Sequence, residues 1–149
     1  MNSGNLPHYL LDTNIISEIV KFAPDFKVIK KIGEHSSDMA ISVLTWHELV
    51  YGLERLPEGL RKKELSKYVY DDVEQSFPII NFTKSAAEIH AKIRSAIEES
   101  GYNLPYADTQ IAATAIAEDM ILVTRNSRHF SEIEEKFSLK LENWFEENH

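Results

Sequence analysis

The sequence predicts an α/β fold built on a short, mostly parallel sheet. Three observations predict it. Short apolar runs alternate with longer stretches of helical periodicity, which is the pattern of βαβ units. The length of 149 residues suits one domain and a core that needs no covalent staples. The composition is 43% hydrophobic and 27% charged with 5 Gly and 5 Pro, which excludes a fibrous or mainly disordered chain. A single domain over 1–149 is expected, with its core at about 9–144; there is no internal repeat, linker or low-complexity stretch.

Tyr9-Leu-Leu-Asp12 is a short apolar run ending in a turn residue, hence a buried first strand. Asn14 to Val20 reads as a helix ended by Phe22-Ala-Pro24. Asp25 to Ile32 reads as a second, stopped by Gly33. Met39-Ala-Ile-Ser42 is a strand and Val43 to Leu53 a helix, with Ser42 as its N-cap. A Pro57/Gly59 break precedes a helix over Leu60 to Glu74. Pro78-Ile-Ile-Asn81 is a third strand. Thr83 to Ser100 is a long helix with Ala87, Ala91 and Ile97 on one face and Gly101 as its C-terminal stop. Pro105 opens a helix over Tyr106 to Glu118. Met120-Ile-Leu-Val-Thr124 is the strongest strand signal, and Leu139-Lys-Leu-Glu142 suggests a last short strand.

The chain has no cysteine, which removes disulfides, thiolate metal sites and Cys nucleophiles. No apolar run approaches the ~18–20 residues of a membrane span. Met1 to His8 lacks the basic and apolar regions of a leader. A cytoplasmic protein with no membrane partner is expected. Sixteen Lys and Arg against 24 Asp and Glu give a net charge of −8, which opposes global nucleic-acid binding. The distribution is uneven: Lys21, Lys27, Lys30 and Lys31 form one basic group, and Arg55, Arg61, Lys62, Lys63 and Lys67 another. Both groups also fit solvated helix faces.

Parallel sheets place their sites beyond the carboxyl ends of the strands. Asp12 stands there, and it is equally suited to cap the next helix. Glu48 falls in the second turn of the helix that starts after Ser42, on a half-apolar face where a carboxylate wants a partner. Asp108 shares a face with Ala112 and Ala115, where close packing makes an unpaired carboxylate costly. Asn126 follows the strongest strand and also suits a plain turn. Three carboxylates and an amide form an oxygen-only set suited to Mg²⁺ or Mn²⁺ rather than zinc. The chemistry implied is phosphodiester hydrolysis.

Four blocks in order carry a resemblance: Leu-Leu-Asp12-Thr-Asn14-Ile-Ile-Ser-Glu18, Ile-Ser-Val-Leu-Thr-Trp-His-Glu48-Leu-Val-Tyr-Gly52, Leu-Pro-Tyr-Ala-Asp108-Thr-Gln-Ile-Ala-Ala113 and Leu-Val-Thr124-Arg-Asn126-Ser-Arg-His-Phe130. Together they resemble PIN-domain ribonucleases, above all the VapC/FitB-type toxins of toxin–antitoxin pairs. The resemblance implies a PIN-like three-layer α/β/α sandwich and a metal-dependent endoribonuclease. It implies cleavage of structured RNA of the tRNA or rRNA type, a homodimer, and neutralisation by a small antitoxin through which DNA is reached only indirectly. The implied catalytic and metal-binding positions fall on Asp12, Glu48 and Asp108, and the fourth on Asn126, where an amide replaces the frequent Asp. Thr124 and Asn14 fall on supporting positions. Many relatives carry an acid at the place of His129, so the implied centre here has three carboxylates.

Arg125, Arg128, His129, Lys62 and Lys63 are candidate RNA contacts. Trp46, Tyr51, Tyr102 and Tyr106 are read as packing residues, Trp144 and Phe145 as the anchor of the tail, and His8, His35, His90 and His149 as surface. His47-Glu48 lacks the second His of a zinc protease, since Tyr51 stands in its place. Two other functions remain open on sequence. One is a catalytically inactive PIN module acting by protein binding. The other is a haloacid-dehalogenase-like phosphatase with Asp12 as nucleophile, although that family needs a second Asp where Asn14 stands.

Overall fold

A computed structural model describes residues 7–146; Met1–Leu6, Glu147 and the His149 expectation lie outside them. Five strands form one sheet in the order β3-β2-β1-β4-β5: β1 Tyr9–Leu11, β2 Met39–Ser42, β3 Ile79–Ile80, β4 Ile121–Val123 and β5 Lys140–Glu142. Every pairing is parallel. The sheet is therefore wholly parallel, and the Leu139–Glu142 run is its edge strand beside β4.

Side-chain alternation sorts the strands into two cores. Leu10, Ala40 and Leu122 face a layer formed by α6 (Lys84–Ser100), α7 (Tyr106–Ala117) and α8 (Ser131–Phe137), with Ile93, Ile111, Ala112 and Ile133 between them. Leu11, Ile41 and Val123 face the opposite layer, with Ile15, Ile16, Val28, Val73 and Trp144. That layer holds α1 (Thr13–Ile19) and α2 (Phe26–Glu34). This is a three-layer α/β/α sandwich. Trp144 is fully buried in its second core, as expected of the tail anchor.

The caps follow local chemistry. Ser42 caps α3 (Val43–Glu54), its hydroxyl accepting from Thr45 N at 3.1 Å. Thr83 caps α6 in the same way, and Gly101 ends that helix at φ +78°, a left-handed turn glycine adopts at no steric cost. Buried Glu18 accepts from Asp25 N at 2.6 Å and from Lys21 Nζ at 2.8 Å, fixing the turn from α1 to α2.

Several expectations are corrected. Gly33 does not stop the second helix; α2 runs through it to Glu34 and is capped at His35. Residues 60–74 are not one regular helix. α4 (Leu60–Lys67) passes into a π-helical stretch at Tyr68–Val73 and a last turn, α5 (Glu74–Ser76). The wider π turn seats Val69 and Val73 in the core while the polar residues between them stay exposed. The buried face of α6 is Ala86, His90, Ile93 and Ile97, so Ala87 and Ala91 lie outside. His90 is core rather than surface. It shares a 2.8 Å hydrogen bond with Thr109 Oγ1, which satisfies it, and burial holds its pKa down. His35 is half-buried against Tyr9 and Trp144, so it too is a packing residue. Tyr51 and Tyr106 are each 55% exposed and are not packing residues in the ordinary sense.

Candidate active site

The connection leaves β1 on one side to β2 and returns on the other to β4, so the sheet switches direction between β1 and β4. A crevice forms at such a switch, outside the carboxyl ends of the strands. Asp12 stands there at the end of β1, and Thr124 at the end of β4.

Asp12 is 6% exposed and held by three donors. Its Oδ1 accepts from Thr13 N at 2.8 Å, so it does cap α1, as its residue type allows. Its Oδ2 accepts from Thr124 Oγ1 at 2.9 Å and Asn14 Nδ2 at 3.5 Å. One residue thus serves both readings, with one oxygen spent on the helix and the other turned to the crevice wall. Burial raises the Asp12 pKa; its hydrogen bonds oppose that, and the charge of Glu48 adds to it.

Asn14 and Thr124 lock the loop after β4. Asn14 Oδ1 accepts from Arg125 N at 3.1 Å, and Thr124 Oγ1 accepts from Asn126 N at 3.1 Å. Asn126 therefore sits beside Asp12's partner, exposed, and makes no side-chain cap to the short 3₁₀ turn Ser127–Phe130. Glu48 joins from α3: its Oε1 accepts from Thr13 Oγ1 at 2.6 Å. Thr13 thus bridges two carboxylates, and nothing in the sequence marks that role, since the pairing spans 35 residues.

Asp108 lies in the first turn of α7, half-buried. Its pKa is pushed up to about 6, first by burial, then by the charges of Asp12 and Glu48, with His129 pulling the other way. Asp108 therefore feels the charges of buried Asp12 and exposed Glu48, and His129 is in electrostatic reach.

The remaining candidates are dispersed. Arg125 is exposed, with its guanidinium 4.6 Å from the centre of the Phe145 ring. Arg128 lies in a shallow groove with Glu134, Glu142 and Glu146, an acidic setting. Lys62 pairs with Glu58 at 3.0 Å, and Lys63 is exposed. Arg61, not Lys62 or Lys63, lines the apolar groove that begins at Thr13 and Glu48 and continues along Gly52, Leu53, Leu65 and Tyr68.

The donor set suits a hard divalent cation: all oxygen, three acids, with mutual repulsion that a positive charge relieves. As they stand, no three acidic or His side chains among the described residues converge on one ion position. Glu48 is turned to Thr13 instead.

Residues 9–136 match the PIN domain family, and the chain belongs to it. Within that family its likeness is to VapC/FitB-type toxins. It is 31% identical to ribonuclease VapC2 of Rickettsia felis, covering 91% of this chain and 97% of that one. It is 27% identical to the tRNA(fMet)-specific endonuclease VapC of Shigella flexneri over the same shares. A structure of FitAB bound to an IR36 DNA fragment superposes with a TM-score of 0.85 at 29% identity, covering 95% of this chain and 98% of that one. Membership sets the phosphatase alternative aside. Among the described residues, no helix is long and apolar enough to cross a membrane.

Proposed function

We propose that this chain is a metal-dependent endoribonuclease and the toxin of a toxin–antitoxin pair, acting in the cytoplasm. The observation that carries the reading is Thr13, which ties Asp12 at the end of β1 to Glu48 of α3 at the switch point of the sheet, with Asp108 near enough for the charges of both to add to the burial that raises its pKa. The substrate is structured RNA of the tRNA or rRNA type; similarity to chains named ribonuclease and tRNA(fMet)-specific endonuclease supports an RNA substrate and, of the two, the tRNA type.

Asp12, Asp108 and Glu48 would hold Mg²⁺ or Mn²⁺, with Asn126 as a weaker amide ligand. When bound, the ion supplies polarisation of a phosphoryl oxygen and an acidified water. Thr13, Asn14 and Thr124 hold both oxygens of Asp12 and so fix the orientation of its carboxylate. Arg125, Arg128 and His129 stand on the loop and turn beyond β4; the two arginines supply positive charge for the phosphates of the RNA, and His129 is a further RNA contact. Lys62 and Lys63 extend that contact along α4. With a net charge of −8, such contact is local.

The groove lined by Leu49, Leu53, Leu65 and Tyr68 continues to Val20 and Phe22, the latter fully exposed. An antitoxin segment of apolar character with a basic side chain fits there, because the groove opens at Glu48. DNA is reached through that antitoxin, and the toxin is a homodimer. Structural likeness to a FitAB complex on DNA supports the pairing.

Incubation of the full chain with total RNA and Mg²⁺ or Mn²⁺, followed by sequencing of the new ends, tests the reading. The expected result is cleavage at few positions in structured RNA, abolished by EDTA. Intact RNA under all these conditions sinks it and leaves a protein-binding PIN module.

A further inference from the structure

Beyond β5, Asn143 and Phe145 both reach the loop that follows β4, and both meet it at Arg125. Asn143 Nδ2 donates to the Arg125 carbonyl at 3.2 Å, and the Phe145 ring centre lies 4.6 Å from the guanidinium carbon. Asn143 Oδ1 accepts from Phe145 N at 2.9 Å, so both ends of one amide are used and its orientation is set. Between these two residues Trp144 is fully buried and donates from Nε1 to Glu142 Oε1 at 2.9 Å, which anchors the pair. Arg125 also meets α1. Its N–H donates to Asn14 Oδ1 at 3.1 Å. The other end of that amide, Asn14 Nδ2, donates to Asp12 Oδ2 and to Thr124 Oγ1 at 3.5 Å each. Those last contacts are long, so they depend on the Asn14 amide being held in place.

We propose that Asn143 and Phe145 are positioning residues for the cation site: by clamping Arg125 they keep Asn14 set against Asp12, and so tune how tightly Asp12 takes a divalent ion. This rests on the metal-dependent reading above. Groups that orient a ligand from outside change metal affinity although they never touch the metal. Here the links run from the Asn143 amide to the Arg125 backbone, the Asn14 amide and the Asp12 carboxylate. Each group between the ends accepts on one side and donates on the other, so a loss at the tail frees the next group to turn. The Phe145 ring acts separately, by holding the guanidinium near it. Thr124 N donates to Glu142 O at 3.0 Å, so the loop is joined to β5 and the tail over consecutive residues.

Calorimetric titration of Mn²⁺ into the full chain tests the clamp, together with amide exchange by NMR in EDTA. Asn143→Ser keeps an oxygen for Phe145 N but is too short to reach the Arg125 carbonyl. It should weaken Mn²⁺ binding about 3- to 10-fold, less than the roughly 10- to 100-fold that loss of a direct outer-shell partner costs. In EDTA the Arg125 and Asn126 N–H groups should exchange faster while those of β1 and β4 keep their protection. In an Asn14→Ala chain, Asn143→Ser should have no further effect on Mn²⁺ affinity, because the link it acts through is gone. Phe145→Ala should weaken Mn²⁺ binding and Phe145→Tyr should restore it; in an Arg125→Ala chain, Phe145→Ala should add nothing. Since the Phe145 ring is only half-buried, this second set carries the test if Asn143→Ser does not fold. Independent, additive effects of Asn143→Ser and Asn14→Ala overturn the proposal and leave the tail as packing. So does an unchanged Mn²⁺ affinity with a lowered melting temperature. If the unaltered chain binds no Mn²⁺, the metal-dependent reading falls too; if it binds Mn²⁺ and these variants bind it equally tightly, only the clamp falls.

Discussion

Thr124 donates its hydroxyl to Asp12 Oδ2 at 2.9 Å across 112 residues of sequence, tying the carboxyl ends of β1 and β4 together. The Thr124 hydroxyl oxygen in turn accepts from Asn126 N, so one fully buried threonine orients the acid and fixes the loop. Thr124→Val keeps the shape and removes the hydroxyl. It should lower cleavage by about 10- to 100-fold, the usual cost of losing a group that orients a metal ligand. Thr124→Ser should restore most of it. Initial rates at saturating Mg²⁺ check this.

Asp12→Asn should cost on the order of 100-fold or more in cleavage, because it removes a charge from the ion's ligand set. The fold should survive. Asn retains an acceptor oxygen for Thr124 or Thr13, and removing one of three repelling charges relieves the metal-free protein. Thermal unfolding in EDTA should show an unchanged or raised midpoint. Wild-type activity in this variant would mean that the site is elsewhere.

Asp108 makes stability depend on pH. Its folded pKa is about 6 against an ordinary 3.8, so the folded chain binds the proton more tightly than the unfolded one. Stability contributed by the protonated form is present below about 3.8 and is lost as pH rises toward 6. In EDTA, Asp108→Asn should flatten that part of the profile and raise the melting temperature at pH 7. Divalent ions should stabilise the original chain there and the variant less. Identical pH profiles for the two chains would remove the burial and repulsion argued for Asp108.

Asn126 separates a metal ligand from a turn residue. As a ligand it offers an oxygen without charge, so Asn126→Asp should tighten metal binding and hold or raise activity at low Mg²⁺. Asn126→Ala should lose less than Asp12→Asn. As a turn residue, Asp would be near neutral and Ala would act through stability by about 1 kcal/mol or less. Activity titrated against Mg²⁺ decides between them; superimposable curves for the original chain and Asn126→Asp leave a centre of three carboxylates.

RNA binding should weaken with salt along a shallow slope, because few phosphates are neutralised. Charge reversal at Lys62 and Lys63 should reduce both affinity and slope. An unchanged titration would take α4 out of the RNA footprint, which suits the Lys62–Glu58 pair on its surface.

The positions of Asp12 and Asn126 beyond strand ends, and of Glu48 and Asp108 on helices, were legible in the sequence from the apolar runs and helical spacing around them. The strands were legible from their apolar runs, and the caps Ser42 and Gly101 from residue type alone, since capping is a contact of a few residues; Thr83 was read as the first residue of its helix and is its cap. The face of α6 was misread by one position, because Ala87 and Ala91 are apolar enough to mimic a core stripe and only packing against α7 shows that His90 takes the inner place. The π-helical stretch was invisible, since its hydrogen bonds shift by one residue to seat Val69 and Val73 without altering composition. Thr13 as the bridge from Asp12 to Glu48, Arg61 rather than Lys62 in the groove, and Arg125 between Asn14 and the tail all depend on contacts between distant segments. Local propensity and periodicity act over a few residues and so determined the elements and the acids at their ends. Which side chains meet across the crevice is set by how the helices pack on the sheet, and that the tertiary structure alone decided.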